Sequence, residues 1–226
     1  MMIIKVDHLN DSQAISACRQ AGVSCLGIDV DFTAAERLEV LTSCNYSDVS
    51  FRFTLPDVGE NQCVEICRSK RPFAAEFVGH FIPTPVTCRI LLSFVTCIIF
   101  SGIDASHDTD SAWILSRYAD LLDIKNAYFQ VDLLEETDNA WKRLKCSELS
   151  DELDELTVSD INRIAQSHKL LLNVNYTTAN VTAILQAFPN ACGMALALES
   201  EDWRRSYSLE QIVNIVTKAR ALELGS

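Results

Sequence analysis

The sequence predicts an α/β protein: a single (β/α)8 TIM barrel spanning residues 1–226. Three observations carry that expectation. Eight short, β-rich apolar segments recur along the chain, and each is followed by an amphipathic helical pattern. Several of the apolar segments are nearly continuous, as parallel strands covered on both faces should be. Glycine is scarce, at seven residues, and forms no GxG or GG pair. The Gly-rich first turn that an open doubly wound sheet often carries is therefore missing.

The strand candidates are Ile3–Val6, Cys25–Val30, Val49–Leu55, Ala74–Val78, Cys97–Gly102, Tyr128–Leu133, Leu170–Asn175 and Met194–Leu198. Helical patterns fall between them at Ser12–Ala21, Ala34–Cys44, Glu60–Ser69, Thr84–Ser93, Ser111–Leu122, Ala140–Lys145 with Val158–Gln166, Ala179–Ala187 and Leu209–Ala221. Asp11 and Asp110 stand where helix N-caps belong. Thr157-x-x-Asp160 and Ser208-x-x-Gln211 read as capping boxes. The acidic stretch from Leu134 to Thr157 is longer than the other connections and is expected over the barrel mouth as the sixth βα loop. No linker rich in Pro, Gly or Ser divides the chain, so one domain is expected.

Composition narrows the function classes. With 48% hydrophobic and 22% charged residues the chain is ordinary for a globular protein. Its net charge of −12 repels phosphate backbones, so no nucleic acid partner is expected. The longest apolar run, Ile90 to Ile103, is shorter than the ~20 residues of a membrane span, and no membrane partner is expected. Lys5 and Asp7 interrupt the first apolar stretch, which is not a signal-peptide pattern. The nine cysteines are odd in number and lie mostly in apolar patterns, which suggests reduced thiols and a cytoplasmic location. Cys63 and Cys67 share a helix face, but no further Cys or His stands near them. The four histidines have no ligand spacing either, so no metal and no cofactor is expected.

In such a barrel, function sits at the C-terminal ends of the strands. Reading those ends gives Asp7, Asp29, Asp31, Arg52, Thr54, Glu76, Ser101, Asp104, Gln130, Asp132, Asn173, Asn175 and Glu199. Alternation puts Lys5 and Asp7 on one face, and Gln130 and Asp132 on one face. Two carboxylates at one mouth, Asp7 and Asp132, can divide acid and base work if their environments differ. The plainer reading is that each strand-end Asp caps a turn.

The chain resembles phosphoribosylanthranilate isomerase. "IIKVDHLNDSQAISACRQAGVSCLGI" is similar to that family's opening, a strand with a V-K-I-C-G-type motif and then a helix. "YFQVDLLEETDNAW" has the outline of its sixth unit, and "KLLLNVNYTTANVTAIL" of its seventh. "ACGMALALESEDWRRSYSLEQIVNIVTKAR" resembles its last. The resemblance implies that Asp7 stands on the family's catalytic cysteine and Asp132 on its catalytic aspartate. With it, substrate contacts are expected at Arg37, Glu76 and Asn175, and the strand ends add Gln130 and Asn173. The family's Gly-Gly of the seventh unit falls on Val174-Asn175, and its Ser-Ser-Gly of the eighth on Ala195-Leu196-Ala197. Those glycines would let a backbone approach a phosphate. In their absence Leu196 and Leu198 are expected to add bulk there, with N–H groups remaining at Thr177-Thr178.

Three functional readings follow from that resemblance. One is a diverged paralogue with altered or lost isomerase activity, binding a small-molecule ligand at the barrel mouth. A second is an active isomerase of tryptophan biosynthesis, an aldose–ketose isomerase performing the Amadori rearrangement with Asp7 as base and Asp132 as acid. The third is a non-catalytic scaffold or regulatory partner. Self-association into a homodimer is left open.

Overall fold

In the computed structural model, eight parallel strands close into a barrel in chain order, β1 to β8, with β8 returning to β1. The structure describes residues 2–30, 45–54, 58–79, 82–106, 110–134, 139–147, 156–199 and 205–224. The strands are β1 (Ile3–Asp7), β2 (Cys25–Asp29), β3 (Val49–Thr54), β4 (Ala74–Val78), β5 (Cys97–Ala105), β6 (Ala127–Leu133), β7 (Lys169–Asn173) and β8 (Gly193–Ala197). The helices are α1 (Ser12–Ala21), α2 (Glu60–Lys70), α3 (Pro85–Leu91), α4 (Ala140–Ser147), α5 (Val158–Ser167), α6 (Val181–Ala187) and α7 (Leu209–Leu224). The helix expected at Ala34–Cys44 lies outside the described residues.

Local sequence explains the element boundaries. The Asp11 carboxylate accepts from the amides of Gln13 and Ala14 and starts α1, and Gly22 ends it at φ 95°. Thr157 and Asp160 form the reciprocal capping box of α5. Ser208 and Gln211 exchange the same pair of bonds at α7. One expected helix is corrected. Ser111–Leu122 forms turns followed by a 3-10 segment, Ser116–Leu121. Tyr118 breaks helical geometry there, at φ −102° and ψ 15°, while its ring packs on Phe100 and Phe129 at 5.2 and 5.6 Å. Tertiary packing overrides the local helical pattern. Asp110 still caps, accepting from the Ala112 amide, but it caps a turn.

Alternate residues of each strand face outward into the main core between sheet and helices. Phe53, Phe77, Phe100 and Phe129 line up across β3 to β6 on that outer face, with successive ring centroids 6.0, 6.3 and 5.5 Å apart. Rings of this size bury large apolar areas and set the spacing beneath the helices. Inside the barrel, Cys25, Ala74, Cys97, Ile99 and Leu171 form a separate apolar floor. Burial pushes the Cys97 thiol up to about 12, so the floor stays uncharged. The Cys63 and Cys67 thiols are buried on α2. Above the floor the interior turns polar.

Strand β5 carries a bulge. It pairs with β6 at Phe100↔Phe129 and resumes at Ile103↔Val131 and Asp104↔Asp132, leaving Ser101 and Gly102 opposite Gln130 alone. Gly102 takes φ 75°, a conformation that favours glycine. No helix among the described residues is long and apolar enough to cross a membrane.

Candidate functional site

Strand alternation places Ile4 and Val6 in the outer core and turns Lys5 and Asp7 inward, as their spacing predicts. Lys5 is fully buried and Asp7 is 2% exposed. The Lys5 ammonium donates to Asp7 Oδ1, to Glu76 Oε1 at 3.0 Å and to Gln130 Oε1 at 2.8 Å. Its three donors are thus all engaged. Arg52, entering from β3, donates through Nε to Glu76 Oε1 at 3.0 Å and lies 3.4 Å from Asp7 Oδ1. Its Nη1 reaches Asp29 Oδ1 at 2.6 Å. The Ser50 and Ser101 hydroxyls complete the coordination of Glu76 at 3.0 and 2.6 Å. Gln130 Nε2 donates to Asp7 Oδ2 at 3.3 Å.

Small residues make room for this cluster. A Cβ on Gly27 would sit 2.1 Å from Asp7 Oδ1 and 2.9 Å from Arg52 Cδ. On the other side, Lys5 and Asp7 neighbour Ala195 and Ala197 of β8.

The electrostatics follow from the contacts. Burial alone would raise the Asp7 pKa, but the Arg52 guanidinium and the Lys5 ammonium outweigh it and hold the carboxyl below its ordinary value. Burial alone would lower the Lys5 pKa, but the Asp7 and Glu76 carboxylates outweigh it, so it stays above the ordinary lysine value. Two buried cations face two buried carboxylates, which is the pairing that ions in a low-dielectric interior require.

The expected site residues divide accordingly. Asp7, Glu76 and Gln130 come together in this buried network. Asp132 and Asn173 lie higher, on β6 and β7, with Asn173 Nδ2 donating to Asp132 Oδ1 at 2.8 Å. Asp132 faces inward, two residues beyond Gln130 on the same strand. Asn175 is drawn away, its Oδ1 accepting from the Trp141 amide of α4 at 3.0 Å. Arg37 lies outside the described residues. Sequence reasoning picked out no ion-pair partners for Asp7. Lys5 shares its strand face, but Arg52 becomes its neighbour only when β3 joins the barrel.

The corner between the loops after β7 and β8 also differs from expectation. Leu196 is buried in the outer core and Leu198 packs against that core, so neither fills the corner. A cavity of about 460 Å³ opens there instead, lined by residues that include Asn175, Thr177, Thr178, Arg205, Gln211 and Asn214. Several backbone donors at this corner are spent within the protein. Thr177 N–H goes to Asn180 Oδ1, Tyr176 N–H to the Tyr207 hydroxyl, Ser208 N–H to Gln211 Oε1 and Gln211 N–H to Ser208 Oγ. The Arg205 guanidinium donates to the carbonyls of Asn173 and Leu134 at 3.0 and 2.9 Å. Among the described residues, no group of three or more His, Cys, Asp or Glu side chains is placed to hold a metal.

Fold and site define a closed parallel barrel with a polar interior and a carboxylate-bearing mouth. Among solved structures, it is similar to monomers derived from the dimeric phosphoribosylanthranilate isomerase of Thermotoga maritima. That match has a TM-score of 0.67 and 10% identity, covering 98% of this chain and 100% of that one. A phosphoribosylanthranilate isomerase in complex with reduced 1-(o-carboxyphenylamino)-1-deoxyribulose 5-phosphate gives a TM-score of 0.64 at 10% identity, with 98% and 100% coverage. TrpF from Jonesia denitrificans gives 0.64 at 14% identity, with both chains fully covered. No family model matches the sequence, and no curated protein matches it. At these identities the shared property is the barrel fold.

Proposed function

We propose that this chain is a diverged barrel of the phosphoribosylanthranilate isomerase kind, which binds a small molecule at its C-terminal mouth and no longer performs the Amadori rearrangement. The observation that carries this reading is the state of Asp7. A base that takes a carbon-bound proton needs an accessible carboxylate with appreciable proton affinity. The Asp7 carboxylate is buried, and it is held between the Lys5 ammonium and the Arg52 guanidinium, which lower that affinity. The β7–β8 corner supports the same reading, because the Thr177, Ser208 and Gln211 amides there are bonded internally.

An active isomerase using Asp7 and Asp132 is the second reading. It is favoured by one fact: both side chains turn into the same interior, with Gln130, bonded to Asp7, two residues before Asp132. Complementation of a tryptophan auxotroph lacking the isomerase separates the two. The expected outcome is no growth, with the protein expressed and folded. Growth that is abolished by either Asp7→Asn or Asp132→Asn would overturn the proposal in favour of the second reading.

A further inference from the structure

A cavity of about 600 Å³ lies at the opposite end of the barrel from the mouth, where β1 and β8 begin. Its wall includes Ile3, Tyr128 and Gly193 from the strand starts, Cys192 just before β8, and Leu185 and Phe188 at the end of α6. Local structure explains why space is left there. Helix α6 has seven residues and its flanking strands have five each. Such a helix rises about 10 Å and such strands run about 16 Å, so α6, running back from the mouth, stops short of the strand starts. β7 and β8 pair in register only at Leu171↔Gly193 and Leu172↔Met194. Gly193 adds no side chain to fill the gap.

The charges at this cavity are already engaged. Glu223, on the wall, accepts from the Met2 amide and pairs with Arg220. The Lys169 ammonium stands 4.9 Å over the Tyr128 ring and donates to Asn126 Oδ1 at 3.0 Å. The two groups are of opposite sign and each is met within the protein, so neither an anion nor a cation gains by entering. The Tyr176 hydroxyl, also on the wall, donates to the Leu172 carbonyl at 3.1 Å. Burial pushes the Cys192 thiol up, which keeps it uncharged at neutral pH. The Tyr128 hydroxyl donates to no group among the described residues. A concave wall of apolar and aromatic side chains with few polar atoms, at this volume, suits a small molecule.

We infer that this N-terminal-face cavity binds an uncharged aromatic molecule carrying one hydroxyl or carbonyl group, with its ring against Tyr128 and Phe188 and its polar atom at the Tyr128 hydroxyl. The inference goes beyond the reading of the mouth and stands at the other end of the barrel.

Titration of the full chain at pH 7 with 2-naphthol, and separately with naphthalene-2-sulfonate and 2-naphthylmethylammonium, tests it. Naphthol is expected to bind saturably, and both charged probes at least about tenfold more weakly. Bound naphthol should slow alkylation of Cys192 by iodoacetamide, read by peptide mass, while exposed Cys146 on α4 reacts at an unchanged rate. Tyr128→Phe keeps the ring, so it should melt as the wild type does and weaken naphthol about fivefold, the scale of one neutral hydrogen bond. Absence of saturable naphthol binding, equal binding of charged and uncharged probes, or an unprotected Cys192 would each overturn the inference. An unchanged affinity in Tyr128→Phe would overturn the placing of the polar atom. Sedimentation of the same samples reads the competing occupant: a dimer that shields Cys192 without naphthol would mean that a second copy fills the cavity, and would overturn the inference.

Discussion

On the β1–β4 side of the barrel interior, Lys5, Asp7, Arg52 and Glu76 neutralise one another at contact distance and are sealed from water. On the β5–β7 side, Asp104, Asp132 and Asn173 form a rim rich in acceptors, and the cation near its upper edge, Arg205, donates to two backbone carbonyls. Carboxylates of the same kind thus have different work in the two regions. In the first they are structural, because each is met by a cation from the same chain. In the second, Asp132 is tied to the neighbouring strand by the Asn173 amide. Position at a barrel mouth therefore does not identify a catalytic acid or base. The partner that meets it decides.

The largest effect that should test this contrast is Lys5→Met. Removing one partner of a buried ion cluster leaves an uncompensated charge, and about 3–5 kcal/mol of stability should be lost in urea denaturation. A loss below about 1 kcal/mol would mean that the cluster does not hold the β1–β4 side together. Next is Gly102→Ala. An alanine at φ 75° costs about 1–2 kcal/mol, and its Cβ would lie 3.2 Å from the Gly79 amide nitrogen. Urea denaturation checks this, and an unchanged stability would mean that the β5 bulge does not depend on glycine at this position.

The smallest effect concerns pH. The folded pKa of Asp7 lies below its ordinary 3.8, so its contribution is complete above 3.8 and is lost as pH falls through the lower folded value. That of Lys5 lies above 10.5, so its contribution is complete below 10.5 and is lost as pH rises through the higher folded value. The contribution of these two groups to wild-type stability should therefore be flat from about pH 5 to 9 in urea denaturation. A bend within that range would mean that Asp7 titrates near neutrality, as a working base would.

Most of the barrel was legible in the sequence because its strands are apolar on both faces and its helices carry local caps. Asp11, Thr157 and Ser208 announce helix starts with bonds that need only neighbours in the chain. The 3-10 segment was not legible, because Tyr118 is held by rings from β5 and β6. The site was only half legible. Alternation turned Lys5 and Asp7 the same way, and Asp132 and Asn173 lie on β6 and β7 where the strand ends put them. The Arg52–Asp7 contact joins strands far apart in sequence and leaves no periodic trace. The bulge at Ser101-Gly102 shifts the alternation by one residue, and nothing in an apolar run ending in a single glycine marks such a shift.

The seam between β1 and β8 bears on how the chain reaches this state. Gly193 packs so closely on β1 that a Cβ there would sit 1.9 Å from the Ile3 carbonyl oxygen. Arg220 of α7 reaches the carbonyls of Met2 and Gly22. During synthesis on the ribosome, β1 emerges first, and its edge toward β8 stays unpaired until some 190 further residues have followed. Lys5 and Asp7 ride on that waiting strand, and charged side chains are one of the ways in which a strand edge is kept from pairing with another chain.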